Sequence, residues 1–577
     1  MKTMADFHFS PRPNRAGEIG WTSWGPDAFD RAAREDKPIL LSISAVWCHW
    51  CHVMDETTYS DSGVIDLINS GYVPVRVDND ERPDINSRYN MGGWPTTAFL
   101  APDGTTLTGA TYLAPSQMRH ALDDIARFYR EKKDEIAQRS EELQGRRIVF
   151  DSAPPEAVTT AIVDHVRGVA TDAYDPEYGG FGDAPKFPQP ELLEFLLYEW
   201  RARNDQTCYD MVSRTMLEMS RGGMYDHVEG GFFRYSTTRD WSVPHFEKMA
   251  EDHAGLLRVL SQLQLWAPTQ EAHATLRSTI MYVRTVLRDP VTGFFSGSQD
   301  ADESYFELPL EERRKRTAPF VDPRSYSNWT ASLAGAFAWA SLATDDDELA
   351  KEALFTLDSL YERVRDSDGM LLHVVAPGEE PRIRGLLTDQ VAYIRALLDA
   401  HEATGERRLL DRARLHTDGT ILHFGATEGG FYDHARRENV IGRLELADRP
   451  MIDNGIMAEN LMRLSVMTGQ DHYREQAQRV LMLYASSYEN AGSFAATYAR
   501  ALRRYLTMPV SVRLRGTPAA TSDLREAARR LPAAFTTVYG EDGHGAPQAY
   551  VCAGTTCAAP VSSAADLRGA YESVVPA

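Results

Sequence analysis

The stretch AVWCHWCHVMDE, residues 45–56, decides how the first part of the chain is read. Three chemistries compete for it. Cys48-His49-Trp50-Cys51 is a C-x-x-C pair suited to disulfide exchange, and Cys48 to His52 spells C-x-x-C-H, the attachment pattern of a c-type haem. Cysteine and histidine this close are also zinc ligands. The flanks favour the thiols. Upstream, Phe29, Ala32 and Ala33 recur at helical spacing, and Lys37-Pro38 ends that helix. Ile39 to Val46 reads as a buried strand, with Cys48 just past its end. From Cys51 the pattern is mostly helical, with a break or a second short helix at Thr57-Thr58-Tyr59. Val73 to Asp78 is a second strand, Thr96 to Leu100 a third, and Pro102-Asp103-Gly104 a turn.

A strand, a C-x-x-C pair opening a helix, then two further strands make a thioredoxin-like arrangement. A thiol at a helix N-terminus lies at the positive end of the macrodipole, which favours its thiolate. A protonated His49 would favour it further. Cys48 is therefore expected as the exposed attacking thiol and Cys51 as the resolving one. Trp94-Pro95-Thr96 fits the loop facing the cysteines, with Pro95 a candidate for the cis isomer. Haem attachment goes with export, and the opening MKTMADFHFSPRPNRAGEIG has no long apolar run to direct it. Zinc on Cys48, His49, Cys51 and His52 would be cramped, because adjacent side chains diverge on a helix. Neither a metal nor a cofactor is expected.

Composition sets wider bounds. The 577 residues are too many for one ordinary core, so several domains are expected. The formal net charge of -22 disfavours nucleic acid and anionic membrane as partners. Five cysteines in so long a chain argue against a disulfide-stapled secreted protein. No run of about 18 apolar residues is present to span a bilayer. The expectation is a soluble cytoplasmic protein.

The long remainder repeats. Glycine turns recur at Gly180, Gly231, Gly293, Gly369, Gly430 and Gly492, and helical patterns such as PELLEFLLYEWRAR and TASLAGAFAWASLA lie between them. Each unit reads as two helices and a glycine-containing loop. Six such hairpins predict an (α/α)6 toroid with its loops around one mouth. The loops carry Asp226, His227, His245, Glu247, Asp300 and Asp302, candidates for a common cavity, with Lys248, Asp252, His253, Asp389, Asp433 and Asp453 nearby in the pattern. Carboxylates converging there could perform acid/base work on a sugar. For any one of them a loop cap or ion pair is the commoner role. After about residue 507, strand and helix patterns alternate in a small α/β tail. Cys552 and Cys557, spaced C-x4-C, read as a disulfide, an electron relay or reduced bystanders, and Cys208 as inert.

The motifs WCHWCHVMDE, VDNDERPDIN, GGWPTTAFLAPDG, GGMYDHVEGGFFRYS, WSVPHFEKMAEDHA, SQDADES and AYVCAGTTCAAPV run from the first domain to the tail. On these the chain resembles the YyaL-type, or spermatogenesis-associated thioredoxin-like, family. The resemblance implies a multidomain α/β plus all-α protein: a thioredoxin-like domain over 1–140, a toroid similar to six-hairpin glycosidases and sugar epimerases over 155–506, and a small α/β region over 507–577. A charged helix leading into a linker is expected between residues 130 and 160. The sequence departs from the family pattern at FEKMAED, at DADESYFELPL, at Ile452-Asp453-Asn454-Gly455 and in a short segment from Arg88 to Gly92. Thioredoxins also bury an aspartate six residues before the first cysteine, where this chain has Ser42. Two functions follow: a thiol-disulfide oxidoreductase acting on a thiol or disulfide substrate, with the toroid as recognition module, or a carbohydrate-active enzyme taking a small sugar, with a structural thioredoxin-like domain. A non-catalytic binding protein is the third reading.

Overall fold

The computed structural model describes residues 7–145, 157–435, 440–541 and 546–575. The chain forms two compact units. One is Met1–Ser152 with Arg436–Asp448, and the other is Ala153–Ala435 with Arg449–Ala577. Most of the expected linker lies outside the described residues.

In the first unit, α1 (Pro26–Glu35) leads into β1 (Ile39–Ser44), α2 (His49–Glu56), α3 (Ser62–Gly71) and β2 (Val73–Asp78). Then follow α4 (Pro83–Tyr89), β3 (Thr96–Leu100), β4 (Thr106–Ala110), α5 (Pro115–Glu131) and α6 (Lys133–Gly145). The sheet order is β2-β1-β3-β4, with β1 parallel to β2 and antiparallel to β3. Strand β1 is buried along its whole length, as a central strand covered on both faces must be. Alternation splits it between two cores: Ile39, Leu41 and Ile43 pack with Phe29 and Tyr89, while Leu40 packs with Met54, Ile68 and Phe99. The weak pattern at Thr57-Thr58-Tyr59 is a break between two helices. Helix α3 restarts where the Asp61 carboxylate accepts the Val64 N–H at 3.0 Å.

Residues 440–448 complete this unit from far along the chain. Leu444 is buried in the Phe29–Tyr89 core. The Tyr89 hydroxyl accepts the Arg443 N–H at 2.8 Å and donates to the Gly104 carbonyl at 3.0 Å. Gly104 has φ +87°, and a Cβ there would lie 2.5 Å from the Gly442 Cα, so only glycine allows the approach. Leu444→Ala is expected to cost about 2–4 kcal/mol, read as a lower urea midpoint for the thioredoxin-like unit. A midpoint within error of wild type would show that the segment rests on the surface instead of completing the core.

Among the described residues, the second unit is a closed ring of six inner helices, each backed by an outer one. The order is α7 (Thr160–Ala173), α8 (Pro190–Arg203), α9 (Gln206–Arg221), α10 (Ala250–Trp266) and α11 (Gln270–Tyr282). Two single turns, α12 (Glu303–Phe306) and α13 (Leu310–Arg313), precede α14 (Ser327–Thr344), α15 (Asp347–Arg363), α16 (Leu387–Thr404) and α17 (Arg407–Phe424). Helices α18 (Met451–Thr468), α19 (Asp471–Leu483) and α20 (Ala496–Leu506) finish the ring. The inner helices are α8, α10, α14, α16, α18 and α20, each touching the next, and α20 returns to α8. Most of α14, including Ala331, Ala334, Gly335 and Ala338, is buried, and its small residues let neighbouring backbones approach. A Cβ on Gly335 would meet the Ala396 Cα of α16 at 3.3 Å.

Every glycine turn follows an outer helix and precedes the N-terminus of an inner one. The inner-to-outer connections at the other end are short, as at Asn204-Asp205 between α8 and α9. Four turns share one device: an aspartate carboxylate accepts the N–H two residues on, at Asp175, Asp226, Asp289 and Asp366. Short strands β5 (Tyr235–Ser236), β6 (Pro244–His245), β7 (Lys248–Met249), β8 (Ser298–Gln299), β9 (Ser325–Tyr326), β10 (Leu372–Val375) and β11 (Arg382–Arg384) tie these loops together. The tail adds β12 (Val510–Arg515), α21 (Ser522–Arg529), β13 (Thr536–Glu541), β14 (Gln548–Ala553), β15 (Thr556–Cys557) and α22 (Leu567–Val574), with sheet order β13-β12-β14-β15. It packs on the inner ring, where the Phe535 ring stacks 4.8 Å from Tyr198 and Arg529 pairs with Glu402. Among the described residues no helix is long and apolar enough to cross a membrane.

Candidate functional site

Cys48 is the N-cap of α2, and its sulfur accepts the Cys51 N–H at 3.1 Å. The two cysteines are joined as a disulfide. Both are covered, Cys48 at 4% exposure and Cys51 at 3%, so Cys48 is not the exposed thiol expected from its place at the helix start. The Trp94–Pro95 peptide is cis, and Pro95 is buried. The neighbouring loops are fixed by polar contacts. Trp47 Nε1 donates to Asp80 at 2.7 Å, Trp94 Nε1 donates to Asn86 at 3.2 Å, and the two indoles meet edge to face at 5.6 Å. His49 lies edge-on to Trp50, which is half exposed.

Sequence reasoning missed the charges beside this site. Asp55 follows Cys51 by one helical turn and is fully buried, with Arg76 of β2 donating to both its oxygens at 2.9 Å. The Ser10 N–H donates to the same carboxylate at 3.1 Å. Arg76 is the register partner of Ser42. The buried carboxylate absent from β1 is thus present on α2, and the i, i+4 spacing of Cys51 and Asp55 was its available signal. His52, weighed in the sequence only as a haem or zinc ligand, is pushed down to about 4 by burial, with His8 adding to the effect. It is neutral near pH 7 and supplies no charge to the thiols.

The six toroid candidates divide. Asp226 is buried and accepts from Lys248 Nζ and Arg313 Nη1, each at 2.7 Å. Burial alone would raise its carboxyl, but those two cations outweigh it and hold it below the usual range. His227 is exposed, with Nε2 3.1 Å from the Gly222 carbonyl. Asp302 caps α12, accepting the Tyr305 N–H at 3.1 Å, and Asp300 accepts the Ala301 N–H at 2.9 Å. Within the set His245 and Glu247 meet directly, Nδ1 to carboxylate oxygen, at 2.6 Å. Among the described residues no group of three or more His, Cys, Asp or Glu is placed to hold a metal ion.

A different set of carboxylates lines a cavity of about 140 Å³ at the first turns of the inner helices: Glu191 on α8, Glu251 on α10 and Asp453 on α18, with Asn328, Trp329 and Thr388 between them. Glu191 and Glu251 are exposed on its wall and Asp453 is half-buried, with protein crowded around all three. Burial pushes Glu251 up to about 8, and Asp252 and Glu191 push the same way. Asp453 is pushed to about 7 by burial and then by Asp389 and Asp433. Asp252 also reaches about 7 through burial, against Arg234. Below them Glu194 accepts from Arg395 at 2.7 Å and from Arg500, and Arg258 pairs with Asp399 at 2.6 Å.

A raised carboxyl binds more protons in the folded state than unfolded between about pH 4 and 7, so it lowers stability progressively as pH rises through that window. Asp453→Asn should remove this cost. The variant is expected to gain about 1–2 kcal/mol over wild type at pH 8, after screening by cavity water, and to match it near pH 4. Urea unfolding at both pH values checks this, and a gain independent of pH would place the Asp453 carboxyl in ordinary solvent.

Residues 12–146 match the family model Thioredox_DsbH, described as a protein of unknown function, DUF255. Spermatogenesis-associated protein 20 of Homo sapiens is 33% identical over 309 residues, covering 49% of this chain and 39% of that protein. The match thus spans about two fifths of the human relative's length. Protein disulfide isomerase-like 2-2 of Oryza sativa subsp. japonica is 31% identical over 109 residues, 19% of this chain and 28% of that protein. Among solved structures, D-mannose isomerase superposes with a TM-score of 0.48 at 11% identity, over 60% of this chain and 96% of its own. The N-terminal domain therefore matches the thioredoxin-like DUF255 model, in a chain similar to the spermatogenesis-associated thioredoxin-like proteins.

Proposed function

We propose that the protein exchanges disulfides at Cys48 and Cys51. The observation that carries this reading is Cys48 at the N-cap of α2, its sulfur accepting a backbone N–H. The same contact stabilises a thiolate once the pair is reduced. The Cys48 thiolate attacks a sulfur of the substrate disulfide, forming a mixed disulfide and releasing one substrate thiolate, which takes up a proton. Cys51 then loses its proton and attacks Cys48. The second substrate thiol leaves, and Cys48–Cys51 closes again as the substrate is reduced. Pro95 and His49 shape the approach to the sulfurs, and the toroid serves as the recognition module of a cytoplasmic oxidoreductase. The test starts from the reduced full-length protein and a peptide disulfide. Loss of the peptide disulfide with matching formation of Cys48–Cys51, read by alkylation and mass spectrometry, supports the reading. A reduced pair that leaves the peptide untouched sinks it.

A second reading rests on the carboxylate cavity of the toroid. Glu251, its carboxyl pushed up by the surrounding protein and its acidic neighbours, is a proton donor, and Asp453 a nearby acceptor. Carboxylates that accept from hydroxyls, beside the apolar face of Trp329, suit a small carbohydrate. Calorimetry with a panel of mono- and disaccharides tests it, with Glu251→Gln as control. No heat from any sugar removes this reading and leaves the thiol chemistry standing.

A further inference from the structure

Cys552 and Cys557 form a second disulfide, on the tail sheet. They are register partners on β14 and the edge strand β15, joined through Gly554-Thr555, with Gly554 at φ +57°. The hairpin is fixed by its backbone without them. Strand β14 pairs with β12 over six residues, Val510 opposite Ala553 through Arg515 opposite Gln548. The Gly554 N–H donates to the Pro509 carbonyl and the Ala558 N–H to the Val551 carbonyl, each at 2.9 Å. Farther on, Ala549 and Val561 exchange both their N–H···O bonds. A cross-link between residues only five apart removes little freedom from the unfolded chain. The bridge therefore adds little to a turn already held on both sides.

Its surroundings suit exchange chemistry. Cys557 is exposed and Cys552 half-buried, in contrast to the covered Cys48–Cys51 pair. Along β14, Gln548, Tyr550 and Cys552 take the open face, while Ala549, Val551 and Ala553 are buried. Arg513 of β12 lies opposite Tyr550, one step along that face from Cys552, with its guanidinium 4.7 Å from the Tyr550 ring centre and 3.5 Å from the Glu541 carboxylate. The remaining cysteine, Cys208, is buried, and burial drives its thiol far above the usual range.

We propose that Cys552–Cys557 is a second redox site, which accepts two electrons from an external dithiol. A thiolate of the dithiol attacks the exposed sulfur of Cys557. The Cys552–Cys557 bond breaks, a mixed disulfide forms on Cys557, and Cys552 leaves as a thiolate that takes up a proton. The second thiol of the reductant then loses its proton and attacks its partner sulfur, releasing the Cys557 thiolate, which is protonated in turn. The dithiol ends as a disulfide and the hairpin as two thiols. Neither Cys48 nor Cys51 takes part, so the site stands or falls apart from the function proposed above.

The test uses full-length Cys48→Ser/Cys51→Ser protein, treated with dithiothreitol under native conditions, quenched in acid and labelled with N-ethylmaleimide. Both sulfurs of the Cys552 and Cys557 peptide should be labelled, with one dithiothreitol oxidised per chain and Cys208 untouched. The thermal midpoint should move by less than about 3 °C. In the wild-type background, Cys552→Ser/Cys557→Ser should oxidise one dithiothreitol fewer per chain than wild type, which gives the same count if the first variant folds poorly. Labelling only after denaturant is added would overturn the proposal. So would labelling before any reductant, or reduction that unfolds the tail, which would make the bridge a structural staple.

Discussion

Glu194→Ala is expected to cost the toroid about 3–5 kcal/mol, the usual result of removing one partner from a buried ion pair. Glu194 is 3% exposed and accepts from Arg395, Arg500 and the Gln262 amide. Burial by itself would raise its carboxyl, but Arg395 and Arg500 outweigh that and hold it far below the usual range. Without the carboxylate, Arg395 loses its bidentate partner and Arg500 is left to share Glu459 with Arg504, in a layer where Asp399 and Glu402 already serve Arg258, Arg463 and Arg529. The exposed pair Lys351–Glu348 gives the control, since Glu348→Ala should cost less than about 0.5 kcal/mol. Equilibrium urea unfolding of both variants makes the comparison. Equal losses would mean that water reaches the centre of the ring.

The second large effect is kinetic. Cys48→Ser should lower disulfide exchange by the first pair by about 10³-fold or more, because the thiol at the helix N-cap that starts the first step is gone. Cys51→Ser should behave differently: Cys48 still attacks, and without a resolving thiol the mixed disulfide accumulates. Mass spectrometry of each variant after incubation with a peptide disulfide reads this directly. Peptide trapped on Cys48 in Cys51→Ser, and none on Cys51 in Cys48→Ser, is the expected pattern. Trapping in the reverse order would exchange the two roles and remove the argument from the helix N-cap.

Much of the architecture was legible because it repeats or alternates. The apolar run from Ile39 onward gave the central strand, and the spacing of Gly180, Gly231, Gly293, Gly369, Gly430 and Gly492 gave the hairpins. Side-chain roles were harder to read. Asp226 and Asp302 take the commoner roles expected of such loop acids, since one neutralises Lys248 and Arg313 and the other caps a turn. Asp453 stood out among the acids of the glycine-loop pattern, but Glu191 and Glu251 passed as ordinary acids in the first turn of a helix, a place the helix dipole favours for any carboxylate. Their crowding depends on three inner helices meeting around one cavity, and no local pattern carries that information. Leu444 was invisible for the same reason: its neighbours Phe29 and Tyr89 lie hundreds of residues earlier in the chain.

That distance bears on the order in which the protein is made. A thioredoxin-like domain at the start of a chain is ordinarily finished soon after its last helix leaves the ribosome. Here Leu444 is translated about 300 residues after α6, which is roughly 15–60 s at the usual 5–20 residues per second. Through that interval the pocket formed by Phe29 and Tyr89 waits unfilled, and the cysteines of α2 belong to a nascent domain with an incomplete core. Synthesis of most of the toroid thus sets the moment at which the thioredoxin-like domain becomes whole.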